Sequence, residues 1–587
     1  MRAPFALLDA PGAGGLLFES LEQILVLESS AQLASVCAEV ERLTARGRHV
    51  VAAIDYEFGY VLEPSAGEVS RRPMGRFWVF SARRVLDAEG VEVLLSAFDD
   101  GSSAAALEDF RPMLGAAEHA AAVARIREYI AAGDCYQVNL TFPFRGRCVG
   151  DPLTLYRQLR RVQPVAHGGY IQTADSTILC LSPELFIERN RCGKLESRPM
   201  KGTARRHTDV HADALSRQAL ATSEKDRAEN VMIVDLIRND IGRIAEPGTV
   251  HVEAMCAIEE YPSVFQMTST VHAACHAPLS QVLAAMFPCG SITGAPKVRA
   301  MQIIQELEGE SRGLYTGALG WIGGGGEFHF SVAIRTLMIG ADGAAQYGVG
   351  SGIVWDSDPA AEYAECLLKA KFIEEADAGF RLIETLRLEA GSIALRELHI
   401  ARLAESARRL AFACNEAEVR ARLDSIARSR ESGLHRVRLT LGRRGDIELL
   451  IEAVETPASP MLAVISPILL ASDDPWLRHK TTCRASYDAE LKRVTAMPGV
   501  FDAVFLNERG EVCEGARSNV FIRRREGEKL LTPSLSCGLL PGVLRRSLLE
   551  QGAAEETVLR REDLLGAAEV YLGNALRGLI PVEMVTA

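Results

Sequence analysis

The stretch Arg198-Pro-Met-Lys-Gly-Thr203 places a lysine, Lys201, between a proline turn and a glycine. A lysine side chain is ordinarily a solvated surface charge with a pKa of about 10.4. A lysine that acts as a nucleophile must lose its proton, and burial or a neighbouring cation favours that loss. The residues that surround Lys201 therefore decide whether it is a surface charge or a reactive amine.

Two other stretches carry carboxylates at helical spacing. Asp226 and Glu229 are three residues apart, and so are Glu362 and Glu365, which Lys369 follows four residues later. Side chains three or four residues apart share one face of a helix. Carboxylates from two such helices can bind a hard cation through oxygen ligands. Taken alone, each stretch fits a solvated helix face equally well.

Small residues and one buried acid accompany these carboxylates. The stretches 291–297 (SITGAPK) and 348–353 (GVGSGI) predict turns whose backbone N–H groups can approach an anion. Arg335 ends a predicted strand, from which its guanidinium can bind a carboxylate in bidentate fashion. Glu184 follows Ser-Pro between two apolar runs, a context that raises a carboxyl pKa and suits a general acid.

Residues 115–375 resemble the chorismate-utilising enzymes, a family that includes the anthranilate, isochorismate, salicylate and aminodeoxychorismate synthases. The resemblance implies an α+β fold with large sheets in an α/β sandwich. It is carried by seven stretches: 133–139, 182–184, 198–203, 229–240, 291–297, 333–336 and 350–352.

This resemblance implies a role for each matching residue. Glu184 is expected to protonate the departing C4 hydroxyl of chorismate, and Mg²⁺ is expected to bind Glu229, Glu362 and Glu365. The residues expected to bind the substrate are Gly202, Thr203, Thr293, Tyr315, Arg335, Gly350, Ser351, Gly352 and Lys369.

Two positions distinguish branches of the family. Members that add water carry a lysine where this chain has Gln137, and anthranilate synthases typically carry alanine where it has Lys201. Aminodeoxychorismate synthases carry lysine there, which implies that the amine attacks C2 while the C4 hydroxyl leaves. Ammonia then adds at C4 and expels the lysine. An anthranilate-type synthase is the enzymatic alternative, and tryptophan binding by the N-terminal half stays open.

The source of ammonia is expected outside this chain. The stretch 146–150 (GRCVG) has the spacing of a glutamine amidotransferase elbow around Cys148. It lies inside the region that resembles the chorismate enzymes, and no apolar strand leads into the cysteine as such an elbow requires. We therefore interpret it as a chance match and expect a separate glutamine amidotransferase subunit, or free ammonia.

A second lysine, Lys480, lies in His479-Lys-Thr-Thr-Cys-Arg484. A pyridoxal phosphate site needs a lysine that attaches the cofactor, a carboxylate for the ring nitrogen and donors for the phosphate. Glu514 is a candidate for the carboxylate, and Arg402 offers a cation. A predicted helix start supplies the N–H groups of Val543 and Leu544 to the phosphate. Each feature alone has an ordinary structural explanation.

Together they resemble the class IV pyridoxal phosphate enzymes over residues 380–587, with two α/β subdomains and often a homodimer. The resemblance adds Asn574 to the cofactor-binding residues, but Ala575 lacks the hydroxyl usual at its position. The motifs leave lyase, transaminase and degenerate docking module open. The first domain favours an aminodeoxychorismate lyase that yields 4-aminobenzoate and pyruvate for folate synthesis, with Lys480 as the base.

Bulk properties agree with a two-domain enzyme. The 587 residues exceed one core, and we expect domains at 1–375 and 376–587. A net charge of −12 argues against nucleic-acid binding. The 13 cysteines show no disulfide framework or metal spacing, and no apolar run is long enough for a membrane span. These features predict a cytoplasmic protein.

Overall fold

The computed structural model describes residues 3–10, 14–68, 74–97, 104–261, 264–430, 432–454 and 461–585. The chain divides into two compact units. The first contains Met1–Phe98, Arg111–Arg147 and Tyr156–Ile373, and the second contains Asp99–Phe110, Cys148–Leu155 and Glu374–Ala587. Two short segments from the N-terminal part of the chain thus belong to the second unit.

Strands and helices are interspersed up to residue 375, as the α+β prediction requires. The strands are β1 (Phe5–Ala10), β2 (Gly14–Leu27), β3 (His49–Ile54), β4 (Gly75–Leu86), β5 (Ala105–Pro112), β6 (Gln137–Gly150), β7 (Gly169–Gln172), β8 (Ser176–Cys180), β9 (Leu185–Arg189), β10 (Lys194–Arg198), β11 (Met200–Arg205), β12 (His251–Glu260), β13 (Val264–Ala274), β14 (Gly294–Ala295), β15 (Ala318–Ile322), β16 (Phe328–Val332), β17 (Thr336–Gly340) and β18 (Ala344–Ile353). The helices are α1 (Ser30–Ala45), α2 (Phe58–Leu62), α3 (Ala88–Ala97), α4 (Ala116–Ala131), α5 (Pro152–Val162), α6 (Val210–Thr222), α7 (Glu224–Gly242), α8 (Leu279–Met286), α9 (Lys297–Leu307) and α10 (Pro359–Glu375).

Antiparallel pairings join most of these strands into one continuous path. The neighbours are β14, β6, β18, β17, β8, β7, β1, β2, β4, β3, β15, β16, β9, β10 and β13, and β13 also pairs with β11 and β12. Val138 and Leu140 near one end of the path share an apolar core with Phe328 and Phe330 near the other. The path therefore folds back and packs its faces against a common core.

A buried arginine ties several of these elements together. The Arg312 guanidinium, in a residue that is 6% exposed, donates two hydrogen bonds of 2.7 Å to Glu308. It also donates to the carbonyls of Asn139 in β6, at 2.7 Å, and Ile292, at 3.1 Å. A buried guanidinium needs this many acceptors, because losing its hydration is costly. The contacts fix β6 against the Ser291–Lys297 loop.

Most local predictions agree with this structure. The carboxylate stretches form α7 and α10, and Ser223 caps α7 by accepting a hydrogen bond from Asp226 N. Helix α4 ends shortly before Gly133, which has a left-handed φ of +82°. One prediction was wrong: 348–353 lies within β18, paired with β6, and is not a turn. The glycines in this strand leave room for neighbouring side chains. Local sequence does not distinguish such glycines from glycines that form a turn.

The second unit contains two sheets, as the two predicted subdomains require. Its strands are β19 (Leu382–Glu389), β20 (Ser392–Ile393), β21 (Leu434–Leu441), β22 (Ile447–Ala453), β23 (Met461–Leu470), β24 (Val500–Asn507), β25 (Val512–Gly515), β26 (Asn519–Arg523), β27 (Leu530–Pro533), β28 (Ala554–Thr557), β29 (Glu569–Asn574) and β30 (Gly578–Val585). Its helices are α11 (Arg396–Arg409), α12 (Glu416–Arg428), α13 (Ala485–Thr495), α14 (Val543–Glu550) and α15 (Arg561–Leu565).

The smaller sheet has the order β20-β19-β21-β22, and the larger has the order β25-β24-β23-β30-β29-β26-β27-β28. Helix α11 ends at Arg409, and Ala411 just beyond it adopts a left-handed φ of +56°. Within the described residues, no helix is long and apolar enough to cross a membrane.

Candidate active sites

Lys201 lies in β11, next to the end of β18. A Cβ added to Gly352 would lie 3.3 Å from Lys201 Nζ and 2.0 Å from Gln137 Nε2, so the glycine provides space for both side chains. Burial, the largest cause, lowers the pKa of the Lys201 amine, and the charge of Lys369 adds to the effect. The carboxylates of Glu229 and Glu184 oppose it. The amine is therefore closer to its nucleophilic form than a solvated lysine is.

Glu184 is buried within electrostatic reach of this amine. Its side chain is buried, and Ser291 Oγ donates a hydrogen bond of 2.6 Å to Glu184 Oε1. Burial raises the pKa of Glu184 to about 7, although Ser291, Lys201 and the Met200 N–H favour the ionised form. A carboxyl with this pKa is partly protonated near neutral pH, as a general acid must be.

The three predicted metal ligands lie on two helices. Glu229 is on α7, and burial together with the charges of Asp226 and Glu362 raises its pKa. Glu362, on α10, is buried and accepts a 2.7 Å hydrogen bond from Ser357 Oγ. Burial alone would raise the pKa of Glu365, but Lys369, 2.7 Å away, holds it below its ordinary value.

A cation near Glu229 and Glu362 would relieve the repulsion between their charges. However, the described residues contain no group of three or more histidine, cysteine or acidic side chains arranged to hold a metal ion. Glu365 in particular is engaged by Lys369. The donor chemistry fits Mg²⁺, whereas the present side-chain arrangement does not form a ligand cluster.

Several predicted substrate-binding residues lie on or next to β18, near the Lys201 amine. Lys369 Nζ donates a 2.7 Å hydrogen bond to Gly350 O, which connects α10 to β18. A Cβ on Gly350 would lie 2.6 Å from the Thr141 methyl group. Ser351 is buried beside it. The small residues of β18 therefore leave space for the side chains that line this end of the strand.

Three other predicted substrate-binding residues differ in where they lie and in what they contact. Arg335 lies between β16 and β17, not at a strand end, with φ of +49°, and burial lowers its pKa. The Tyr315 ring packs on Gly348, where a Cβ would lie 2.1 Å from it. Thr293 is fully buried and donates to Cys289 O at 2.8 Å.

Thr203 is not brought into this space. It is exposed, and its hydroxyl bonds Gln266 Oε1 at 2.9 Å. Gly202 has φ of +87°, and a Cβ there would lie 2.9 Å from Asp226 Cβ. Because Gly202 has no side chain, β11 can approach α7 closely at this position.

The side chain of Gln137 is buried beside Lys201. Among the described residues, neither its Oε1 nor its Nε2 atom has a hydrogen-bond partner. An amide buried without partners costs free energy, which a polar ligand in the adjacent space would recover.

Cys148 has neither the position nor the electrostatics of an amidotransferase nucleophile. It lies within the final residues of β6, and burial raises the pKa of its thiol to about 12. A reactive cysteine needs the opposite shift. The position of Cys148 therefore agrees with the interpretation of its motif as a chance match.

The second site is built around Lys480. Burial, followed by the charges of Arg402 and Arg484, lowers the pKa of the Lys480 amine to about 8. Its main-chain carbonyl accepts a hydrogen bond from Ile383 N at 2.9 Å. An amine with this pKa is substantially neutral at slightly alkaline pH, as attachment to an aldehyde cofactor requires.

Glu514, on β25, faces this amine. It accepts hydrogen bonds from Tyr487 OH, at 2.8 Å, and from Leu540 N, at 3.1 Å. Burial raises the pKa of Glu514 to about 7, and Lys480 is among the charges that oppose the shift. A buried carboxyl near a reactive amine is a candidate partner for a protonated pyridine nitrogen, whose charge would favour the ionised form of Glu514.

The predicted phosphate donors are partly committed to the protein. Arg402 makes a bidentate ion pair with Glu384, at 2.8 and 2.6 Å, and donates to Pro541 O at 3.3 Å. Val543 and Leu544 open α14, so their N–H groups lie at a helix N-terminus. A Cβ on the preceding Gly542 would lie 1.8 Å from Asn519 Oδ1, so only glycine fits there.

Asn574 stabilises the backbone of its own turn. Its Oδ1 accepts hydrogen bonds from Leu576 N and Arg577 N, at 3.1 and 2.9 Å, and its Nδ2 donates to Arg517 O at 3.0 Å. The side chain therefore shapes the loop around Ala575.

Sequence reasoning missed two residues of this site. Tyr487 bonds Glu514 from α13, and Glu384 holds both Arg402 and His399, with His399 Nδ1 at 2.7 Å from Glu384 Oε2. No local pattern marks Tyr487. The spacing of His399 and Arg402 on one helix face was a signal for a shared acidic partner.

The chain belongs to the chorismate binding enzymes, whose family model matches residues 19–375. Residues 381–585 match the model of the class IV amino-transferases. Both resemblances predicted from motifs are thereby confirmed at the level of the family.

Named relatives match the first of these regions. Aminodeoxychorismate synthase component 1 of Klebsiella aerogenes is 46% identical over 251 residues, 42% of this chain and 55% of that protein. Anthranilate synthase component 1 of Streptomyces coelicolor is 43% identical over 257 residues, 42% and 49% of the two chains. The crystal structure of anthranilate synthase component I from Streptococcus pneumoniae aligns at a TM-score of 0.53 with 25% identity, over 62% of this chain and 92% of that one. The chain spans about half the length of these curated relatives.

The raised pKa of Glu184 predicts a pH-dependent stability. Because the folded-state pKa is about 7, above the unfolded value of about 4.3, protonated Glu184 stabilises the fold. This contribution is complete below the unfolded pKa and is lost as the pH rises through the folded one. The loss is about 3 kcal/mol in the free energy of unfolding. Urea unfolding between pH 4 and pH 8 measures this loss as a change in the difference between the free energies of unfolding of wild type and Glu184→Gln.

The exposed Glu128→Gln change is the control, for which this difference should be the same at every pH. A difference for Glu184→Gln that is also independent of pH would contradict the raised pKa.

Proposed function

We propose that this protein makes 4-aminobenzoate from chorismate in two steps. The first unit aminates chorismate at C4 to 4-amino-4-deoxychorismate, and the second eliminates pyruvate. The observation that carries the first step is the pair of Lys201, an amine whose pKa burial lowers, and Glu184, a carboxyl whose pKa burial raises to about 7. The two groups are the nucleophile and the acid that such a substitution needs.

In the proposed reaction the Lys201 amine forms a bond to C2 of chorismate while the C4–O bond breaks. Both ring double bonds shift by one position toward C4, and Glu184 transfers its proton to the departing hydroxyl, which leaves as water. Ammonia then attacks C4, both double bonds shift back, and the C2–N bond to Lys201 breaks. The ammonium at C4 loses a proton, which restores Glu184. The lysine is restored, and nitrogen remains at C4.

The remaining residues of the first unit orient the substrate. Arg335, a buried cation, is suited to bind a carboxylate of chorismate. The Gln137 side-chain amide, which has no hydrogen-bond partner among the described residues, is available to bind a polar group of the substrate. We further propose Mg²⁺ as a cofactor bound by Glu229 and Glu362, with Glu365 joining them once it releases Lys369. The cation would supply charge for an anionic substrate.

The ammonia is proposed to come from a separate glutamine amidotransferase subunit. Support comes from the raised thiol pKa of Cys148, which disfavours glutamine hydrolysis at that position. The relative from Klebsiella aerogenes is named component 1, a name that implies a further component for that protein. We propose a cytoplasmic enzyme with domains at 1–375 and 376–587 along the sequence, in which the described residues 104–110 and 148–155 of the first region pack with the second unit.

For the second step we propose pyridoxal phosphate as the cofactor of the class IV unit. When bound, it supplies an electron sink for the substrate amine. Lys480 attaches the cofactor and then moves a proton between substrate carbons, for which its pKa of about 8 is suited. Glu514 holds the ring nitrogen, the N–H groups of Val543 and Leu544 with Arg402 hold the phosphate, and Asn574 shapes the adjoining loop. A homodimer through this unit is part of the proposal.

One alternative has its own support. The similarity to the Streptomyces coelicolor protein named anthranilate synthase component 1 favours amination at C2. Lys201 argues against it, because a nucleophile that occupies C2 directs ammonia to C4. For the second unit, transaminase activity is the alternative, and the fused first unit favours the lyase.

Replacing Lys201 tests the covalent step. We expect Lys201→Ala to abolish formation of 4-amino-4-deoxychorismate, because no amine then activates C4. Chromatography of products from chorismate and ammonia measures the loss. The exposed Lys529→Ala change is a matched control that should retain amination. Wild-type rates in Lys201→Ala would disprove the covalent route.

Replacing Lys480 tests the cofactor. We expect purified protein mixed with pyridoxal phosphate to develop a visible absorbance band that survives gel filtration. Lys480→Ala should lose the band, because the substitution removes the amine that is proposed to attach the cofactor. The exposed Lys492→Ala change should keep it. An undiminished band in Lys480→Ala would assign the attachment to another residue.

A further inference from the structure

A short segment that precedes residue 115 is integral to the second unit. The described residues 104–110 fall in that unit, although most of it follows residue 373. Ala104 and Ala106 are buried in the apolar core that contains Phe380 and Leu382. This packing places the next acid, Glu108, inside the unit, where it is 5% exposed.

Glu108 binds two side chains of the class IV region. Arg409 Nη2 lies 2.6 Å from Glu108 Oε1, and His479 Nε2 lies 2.9 Å from the same atom. Burial alone would raise the pKa of Glu108, but the hydrogen bond from His479 and the charge of Arg409 hold it below its ordinary value. Glu108 is therefore an ionised acceptor, and His479 Nε2 carries the hydrogen between them.

His479 is held at both ring nitrogens. Its Nδ1 atom lies 3.0 Å from Ser406 Oγ, and the residue is 5% exposed. The next residue is Lys480, whose carbonyl accepts from Ile383 N at 2.9 Å. The backbone that carries the lysine amine is thus anchored on one side by the His479 ring and on the other by β19.

One face of α11 connects these contacts. His399, Arg402, Ser406 and Arg409 follow at intervals of three, four and three residues, which places them on one helix face. Glu384 binds the first two residues, at the end of the row nearer the proposed phosphate site. Glu108 serves the other end, where it binds Arg409 directly and Ser406 through His479.

We propose that Glu108 is a positioning residue for Lys480, supplied to the class IV unit by the N-terminal part of the chain. It acts through His479, whose ring it orients, and it does not contact the reacting atoms. The inference rests on the proposed role of Lys480 as the cofactor-binding lysine. The proposal also implies that residues 381–585, which match the class IV family model, do not include every residue that positions Lys480, because Glu108 lies outside them.

The reactivity of Lys480 in the full-length protein without cofactor tests this role. The charges with the largest effect on the amine are those of Arg402, Arg484, Glu384 and Glu514. Glu108 is not among them, so its effect is expected to come from the position and burial of the lysine. In Glu108→Gln a neutral amide replaces the charged acceptor of Arg409 and His479, so the ring is held less firmly and the amine gains access to water. We expect the midpoint of its reaction with an amine reagent, followed by peptide mass spectrometry, to rise by about one pH unit.

The adjacent Asp109→Asn change is the matched control. Asp109 pairs with Arg408 and Arg409 on the same helix but does not contact His479. Asparagine tolerates its left-handed φ of +51°. We expect this variant to keep the wild-type midpoint, near pH 8. A shift equal to that of Glu108→Gln would show that any loss of acid in this segment acts alike, and would overturn the proposal.

Cofactor binding gives a second readout. We expect the dissociation constant for pyridoxal phosphate to rise roughly tenfold in Glu108→Gln, as for a lost charged hydrogen bond. Ser406→Ala removes the other anchor of His479 and should act in the same direction, which keeps the test decisive if Glu108→Gln fails to fold. Wild-type midpoints and affinities in these variants would overturn the proposal. If the wild type binds no pyridoxal phosphate, the proposed function is wrong. The pH dependence of Lys480 reactivity would still test whether Glu108 positions that lysine.

Discussion

The cost of burying a charged group controls both sites of this protein. Each site places a partly buried lysine amine beside a buried glutamate, where water solvates their charges poorly. Burial lowers the pKa of Lys201 and Lys480, and it raises the pKa of Glu184 and Glu514 to about 7. The same physical effect thus moves the pKa of all four groups toward neutral pH, although these residue types are otherwise fully charged there.

The surrounding framework keeps these groups buried. In the first unit, Arg312 joins β6 to the loop that carries Ser291, and Ser291 in turn holds Glu184. In the second unit, α11 presents a row of polar side chains that two buried acids, Glu384 and Glu108, hold in place. A buried acid is tolerated in each case because a cation and a hydrogen-bond donor compensate it.

Sequence patterns predicted much of this arrangement. Carboxylates three residues apart were on the expected helices α7 and α10, and the apolar context of Glu184 predicted its raised pKa. The prediction was wrong at 348–353, which forms a strand, because glycines that make room for Gln137 and Tyr315 resemble glycines that make a turn.

Long-range contacts were beyond sequence reasoning. Glu108 and His479 are separated by 371 residues, and no periodic pattern relates them. Tyr487 likewise binds Glu514 only because α13 packs beside β24. The metal ligands and substrate contacts stay predictions, since the carboxylates of α7 and α10 do not form a ligand cluster in this structure.

The identity of the aromatic product tests the central claim most directly. Wild-type protein would be incubated with chorismate, Mg²⁺, ammonia and pyridoxal phosphate, and the aminobenzoate isomers separated by chromatography. If Lys201 directs nitrogen to C4 and Lys480 promotes elimination, 4-aminobenzoate and pyruvate form in equal amounts. Anthranilate as the main product would contradict the account.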